Sequence, residues 1–190
     1  TNTLDDYEHK ITSLIPKGDY NIGYIGRLEK PFFPTIVEGF INFCKKNDKE
    51  KITIVFFGGA FEEKTVDALK DKFKLLSNVQ IFITGYLFPL PIAALRKMDL
   101  FVSGAGSASV AAKAGVLSIH IDMLSYNPSG IMLDYEYLNY AKCPYGNTVY
   151  DYLDWVLIRR EPNLPLPLEV NYKKDWDFVC ECFEEHLKFI

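Results

Sequence analysis

The chain has 190 residues, 48% of them hydrophobic, and a formal net charge of -4. That length fits one domain with a sizeable core, and the mildly acidic balance excludes the overall basic footprint of a nucleic-acid binder. No run approaches the ~18 uncharged apolar residues of a membrane span, and the polar, acidic start TNTLDDYEHK is no signal peptide. Because the chain opens on Thr1 rather than an initiator methionine, it is expected to be a piece of a longer protein. Its four cysteines, Cys44, Cys143, Cys180 and Cys182, match no zinc or disulfide framework. Reduced thiols and a cytoplasmic location are the expectation.

In chain order, NIGYIG (21–26) reads as the first strand and PTIVEGFINFCKKN (34–47) as a helix, with Ile36, Val37, Phe40, Ile41 and Phe43 at helical spacing. ITIVFFG (52–58) is the second strand. FEEKTVDALKDKFKLL (61–76) is an amphipathic helix with Val66, Leu69 and Phe73 on one face. VQIFITG (79–85) is the third strand, and LPIAALRKM (90–98) a short helix whose first turn tolerates Pro91. DLFVSG (99–104) is the fourth strand, SASVAAKAG (107–115) a small-residue helix stopped by Gly115, and LSIHID (117–122) the fifth strand.

The pattern then loosens. SYNPSG (125–130) reads as a loop, DYLDWVLIRR (151–160) as a helix, EPNLPLPLEV (161–170) as a proline-rich strap and KKDWDFVCECFEEHLKFI (173–190) as a terminal amphipathic helix. The alternation to residue 122 predicts an α/β fold: a Rossmann-like open parallel sheet with helices on both faces. The whole of 1–190 is expected to form a single domain, its core sheet lying within about 20–160. The Tyr-rich stretch, with Tyr135, Tyr137, Tyr140, Tyr145, Tyr150 and Tyr152, is expected to pack on the core.

In such sheets ligands sit beyond the carboxyl ends of the strands. Four of those ends carry glycine: Gly26 before Arg27 and Lys30, Gly58-Gly59, Gly85 before Tyr86, and Ser103-Gly104-Ala105-Gly106-Ser107. Glycine there permits positive φ and removes a side chain that would block a ligand. A helix opening at Ser107 directs its first N–H groups and positive dipole end at the same edge. With Arg27 and Lys30 as cations, the combination suits a diphosphate. A tight turn and solvated surface charges would give the same letters.

Other candidates point to structure rather than chemistry. Asp175-Trp176-Asp177 spells a metal-binding pattern of some transferases, but it opens a helix, where acids complement the dipole. His9, His120 and His186 have no ligand spacing, and His120 reads as a core residue within a strand. No Walker loop, Gly-x-Ser-x-Gly elbow or His-Glu-x-x-His motif occurs.

The order GYIGRLEKP, ITIVFFGGAFEEKTVDALKDKF, NVQIFITGY and LRKMDLFVSGAGSASVAAKAGVLSI resembles the C-terminal, donor-binding half of GT-B glycosyltransferases over about residues 20–122. The resemblance implies that Arg27 and Lys30, beside Gly26, neutralise the diphosphate of a nucleotide-sugar donor. It implies that Gly104, Ala105, Gly106, Ser107 and Ala108 receive phosphate and sugar. Gly58, Gly59, Gly85, Tyr86 and Ser103 would border the nucleotide. It also implies hexosyl transfer, as in polysaccharide biosynthesis, to a saccharide or other acceptor. No metal or other cofactor is expected, and no catalytic residue is assigned. A missing N-terminal half would bind the acceptor, could touch a membrane surface, and is needed for activity.

Three features differ from the family pattern. Val102 to Ala112 holds no carboxylate where many members carry a Glu-x7-Glu pair, Gly115-Val116-Leu117 lacks the usual proline, and Lys30 follows Arg27 early. Three alternatives therefore stay open. One is an NAD(P)-type dinucleotide domain, with Gly104-Ala105-Gly106 as fingerprint and Asp122 at the ribose. The second is a UDP-sugar epimerase of the same architecture. The third is a catalytically inactive GT-B-like binding or scaffold domain.

Overall fold

The computed structural model describes residues 4–5, 7–134, 139–161 and 164. A short N-terminal stretch holds β1 (Leu4–Asp5) and α1 (Ile11–Leu14). Then follow β2 (Tyr20–Ile25), α2 (Phe33–Lys46), β3 (Ile52–Phe57), α3 (Glu63–Phe73) and β4 (Val79–Ile83). Next come β5 (Leu90–Pro91), α4 (Ile92–Leu95), β6 (Leu100–Gly104), α5 (Gly106–Lys113) and β7 (Ser118–Ile121). The described chain continues through β8 (Pro128–Asp134), β9 (Asn139–Ala141), α6 (Val149–Leu153) and a π-helical turn, Asp154–Arg159.

Seven strands form the main sheet in the order β4-β3-β2-β6-β7-β8-β9. The first five are parallel to one another; β8 and β9 continue the sheet antiparallel. The central strands carry apolar residues on both faces because both faces are covered. Ile22, Tyr24, Ile54, Phe56, Val102 and Ile119 pack in one cluster with Ile36, Phe40 and Phe43 of α2, Leu69 of α3 and Tyr152 of α6. Ile25, Val55, Phe57 and Phe101 pack on the other face with Leu95 of α4 and Val110 and Ala111 of α5. The expected α/β class, a Rossmann-like open sheet with helices on both faces, is the observed one, its parallel strands extended at one edge by two antiparallel strands.

Several elements differ from the sequence reading, each for a local reason. The stretch 90–98 is not one helix: Pro91 is extended, so Leu90–Pro91 pairs in parallel with β1 and one helical turn remains at Ile92–Leu95. The expected loop 125–130 runs into β8, where Pro128 opens the strand at a shifted register and so need not donate to the ladder. The helix expected at 151 starts at Val149, because Thr148 and Asp151 form a reciprocal capping box. From Asp154 it widens into π geometry. Of the tyrosines, Tyr152 is fully buried, whereas Tyr145 is exposed beneath the Arg159 guanidinium, 4.0 Å from its ring centroid. Tyr135, Tyr137, the Asp175-Trp176-Asp177 triplet, Cys180, Cys182, His186, the terminal helix and most of the strap lie outside the described residues.

Candidate functional site at the carboxyl edge

The crevice lies where the connections diverge to opposite sides of the sheet. β2 and β6 are sheet neighbours, with β3 beyond one and β7 beyond the other, which makes their carboxyl ends the topological switch point. Their ladder pairs Ile22 with Leu100 and Gly23 with Phe101. Past that point a side chain takes over from the backbone. The Ser103 hydroxyl accepts from the Ile25 amide at 2.9 Å and donates to the Ile25 carbonyl at 3.3 Å. Ser103 is fully buried, and its hydroxyl bridges the two strands.

After β6 the backbone turns sharply. Ala105 sits at φ 52°, ψ -142°, a conformation that costs a non-glycine residue of order 1–3 kcal/mol. Ala105 and Gly106 are exposed, and Ala108 is buried with its amide donating to the Ala105 carbonyl at 3.2 Å. A Cβ on Gly106 would meet nothing within 4 Å. One on Gly104 would lie 2.7 Å from the Phe32 ring. The chain leaving β2 thus reaches the elbow through Phe32, a residue that no sequence motif singles out.

The loop after β2 is pinned on several sides. The Gly26 amide donates to the Phe57 carbonyl at 3.1 Å, and the Leu28 amide to the Gly59 carbonyl at 3.0 Å. The buried Tyr24 hydroxyl donates to the Arg27 carbonyl at 2.7 Å; burial, aided by the charge of Glu29, holds that phenol well above its ordinary range. Glu29 accepts from the Phe61 amide. The exposed Arg27 guanidinium lies 5.4 Å over the Phe61 ring, within cation–π reach. Lys30 is half-buried.

Beyond β3 and β4, a Cβ on Gly58 would lie 2.0 Å from the Gly26 carbonyl oxygen, so that glycine is required by a close backbone approach. Gly59 backs onto the Tyr86 ring, and the Tyr86 hydroxyl donates to the Gly59 carbonyl at 3.2 Å. Gly85 has φ +72° with nothing near its missing side chain. Phe61 and Tyr86, 74% and 58% exposed, pair at 6.5 Å and leave an aromatic rim in solvent. Beside them a cavity of about 410 Å³ opens between α3 and β4, lined by Ala60, Val66, Ile83 and Tyr86 with Lys70 at its margin.

The structure therefore joins the ends of β2, β3 and β4 by direct contacts, and the β6–α5 elbow to them through Phe32 and Ser103. A larger cavity of about 490 Å³ runs along α2 toward Thr148 and Val149. None of the expected site residues lines it; Lys45 and Lys46 do, whereas Arg27, Lys30 and the strained Ala105 lie at the carboxyl edge. Among the described residues no cluster of three or more His, Cys, Asp or Glu could hold a metal ion. No described helix is long and apolar enough to cross a membrane.

No protein-family model matches the chain, and no curated protein matches it. Among solved structures it is similar to the catalytic domain of cholesterol-α-glucosyltransferase from Helicobacter pylori, at 16% identity and a TM-score of 0.39, over 54% of this chain and 64% of that one. It is similar to the C-terminal domain of a group 1 family glycosyl transferase from Francisella tularensis, at 26% identity and 0.46, over 61% and 66%. It is also similar to UDP-GlcNAc 2-epimerase from Methanocaldococcus jannaschii, at 16% identity and 0.48, over 91% and 48%. The chain spans less than two thirds of the first two and about half of the epimerase.

Proposed function

We propose that this chain is the donor-binding domain of a glycosyltransferase, holding a nucleotide-diphosphate sugar at the carboxyl edge of its sheet. The observation that carries the reading is the β6–α5 elbow. A strained Ala105 presents an exposed Gly106, with open space above it, at the head of an eight-residue helix beside the switch point. Backbone strain of this kind persists where the surroundings enforce it, and it clusters at ligand sites.

The diphosphate binds at the head of α5, where the first amides and the dipole favour negative charge. Arg27, held against Phe61, and Lys30 supply fixed positive charge. The nucleoside enters the cavity beside Gly85 and Tyr86, with Tyr86 and Phe61 as stacking surfaces. Charge developing on the leaving diphosphate is stabilised by these preorganised donors, which is how electrostatic catalysis acts. The acceptor and any catalytic base come from a further domain, so the chain alone binds donor and transfers little. Ser103, Gly58 and Gly104 maintain the site's architecture without touching the ligand.

Calorimetry with UDP, GDP, ADP, CMP and NAD tests this on the chain and on Arg27→Ala. A nucleoside diphosphate is expected to bind, and the substitution to weaken it by about 1–3 kcal/mol, as losing a charge-assisted contact does. Binding of NAD alone, or binding indifferent to Arg27, would overturn the reading.

A further inference from the structure

His120, near the carboxyl end of β7, is fixed on two sides. Its Nδ1 lies 3.0 Å from the Ser129 hydroxyl on β8. Its ring stacks on Tyr140 of β9 with centroids 5.2 Å apart and planes at 29°. The side chain is half-buried, and Nε2 has no hydrogen-bond partner among the described residues. One nitrogen is anchored, and Nε2 is not among the buried side-chain atoms that lack a partner.

Its place in the sheet connects it to the elbow. His120 is registered opposite Ser103, and Ile121 opposite Gly104. The imidazole therefore shares the sheet face that α5 covers, beside the strand that leads into Ala105. The neighbouring groups are Asp122 just after its own strand, Tyr140 on β9 and Lys142 just after that strand. The Asp122 carboxylate accepts from the amides of Leu124 and Ser125 and from the Ser125 hydroxyl. The Lys142 ammonium donates to the Ser129 carbonyl. From α5, Ala108 and Ala112 pack with Met132 and Tyr140 on this side, and the charged residue of that helix is Lys113 in its last turn. Burial holds the imidazole below its ordinary range, with Asp122 opposing. In the neutral tautomer where Ser129 donates to Nδ1, the ring hydrogen sits on Nε2.

We propose that His120 is a further binding residue of this site, its Nε2–H aimed by Ser129 and Tyr140 at an anionic oxygen of the diphosphate held at the head of α5. The proposal rests on the donor-site reading. It assigns a side-chain donor on the β7 side of the crevice, across from Arg27 and Lys30, in a loop region whose own sequence offers only small residues.

The test is a titration of the His120 ring proton by NMR, with and without whichever of UDP, GDP or ADP binds, assigned by His120→Gln. Bound diphosphate favours the imidazolium, so the midpoint is expected to move up by about one pH unit, a tenfold linkage. Calorimetry is expected to show His120→Gln weakening the nucleotide about tenfold at pH 5.5 and about threefold at pH 7.5. Phosphate groups titrate near pH 6 themselves, so the readout is the difference between the two proteins. Ser129→Ala, which releases the ring, is expected to give a smaller loss. If nucleotide binds in an Arg27-dependent way while the His120 midpoint stays put, this proposal is overturned and the donor reading survives. If no nucleotide binds, both fall. The titration is read on the unaltered chain, and the His120 signal is also assigned by elimination with His9→Gln and His186→Gln, so a His120→Gln variant that fails to fold does not remove the test.

Discussion

Gly58 and Gly104 lie at the carboxyl edge of the sheet as Gly85 and Gly106 do, yet the two pairs do different work. The first pair is filled: the Gly26 carbonyl lies 2.0 Å from where a Cβ of Gly58 would stand, and the Phe32 ring 2.7 Å from one on Gly104. The second pair is open, with nothing within 4 Å. A glycine at a strand end is thus either a packing device, admitting another part of the protein, or a vacancy at which a ligand can approach the backbone. The carboxyl edge needs both, because the packed glycines draw the loops together and the open ones leave the space between them.

Substituting the four glycines one at a time separates the two uses. Gly58→Ala is expected to be the most disruptive, since backbone meets backbone and φ is +155°. Neither part can yield as a flexible side chain would, and a loss of about 3 kcal/mol follows from overpacking together with strain. Urea unfolding checks it; a variant as stable as the parent would mean that the β2 and β3 loops are not held at this distance. Gly104→Ala collides with a ring rather than with backbone, and Phe32 is itself buried. About 2 kcal/mol is expected, with partial relief in the Phe32→Leu background.

The difference between filled and open glycines is where legibility in the sequence ends. The parallel strands are readable because buried strands are near-continuous apolar runs, and four glycine-terminated ends mark one edge of the sheet. What fills each glycine is not readable. Gly58 meets Gly26 from 32 positions away and Gly104 meets Phe32 from 72 away, and only the folded chain brings them together. The capping box at Thr148 is hard to see because Asp151 stands where Glu or Gln is usual. β8 is hidden by Pro128, Gly130 and a register shift that breaks its alternation. His120 reads as a core residue for the same reason, since Ser129 and Tyr140, which orient it, come from those two unforeseen strands.

Gly85→Ala sharpens the contrast from the open side. There is no collision, but alanine must adopt φ +72°, so about 1 kcal/mol of stability is expected to be lost to left-handed strain. Nucleotide affinity should fall with it if the turn before Tyr86 borders the base. Equal stability loss with unchanged affinity would remove Gly85 from the site.

Gly106→Ala has the smallest expected effect on stability and is the most discriminating of the four. Gly106 has no positive φ, opens α5 and faces empty space. Alanine is the better helix former, so the substitution is expected to leave stability within about 0.5 kcal/mol of the parent or to raise it slightly. The fold makes no conformational or packing demand for glycine here, and at the head of this helix the missing side chain leaves room for an anion to approach the backbone closely. A methyl group there intrudes where phosphate oxygens meet the first amides, so nucleoside diphosphate affinity is expected to drop about tenfold while Arg27 and the fold stay as they were. Calorimetry and thermal unfolding on the same sample read both quantities. Unchanged affinity in a stable Gly106→Ala protein would move the phosphates away from α5 and leave the elbow as a turn.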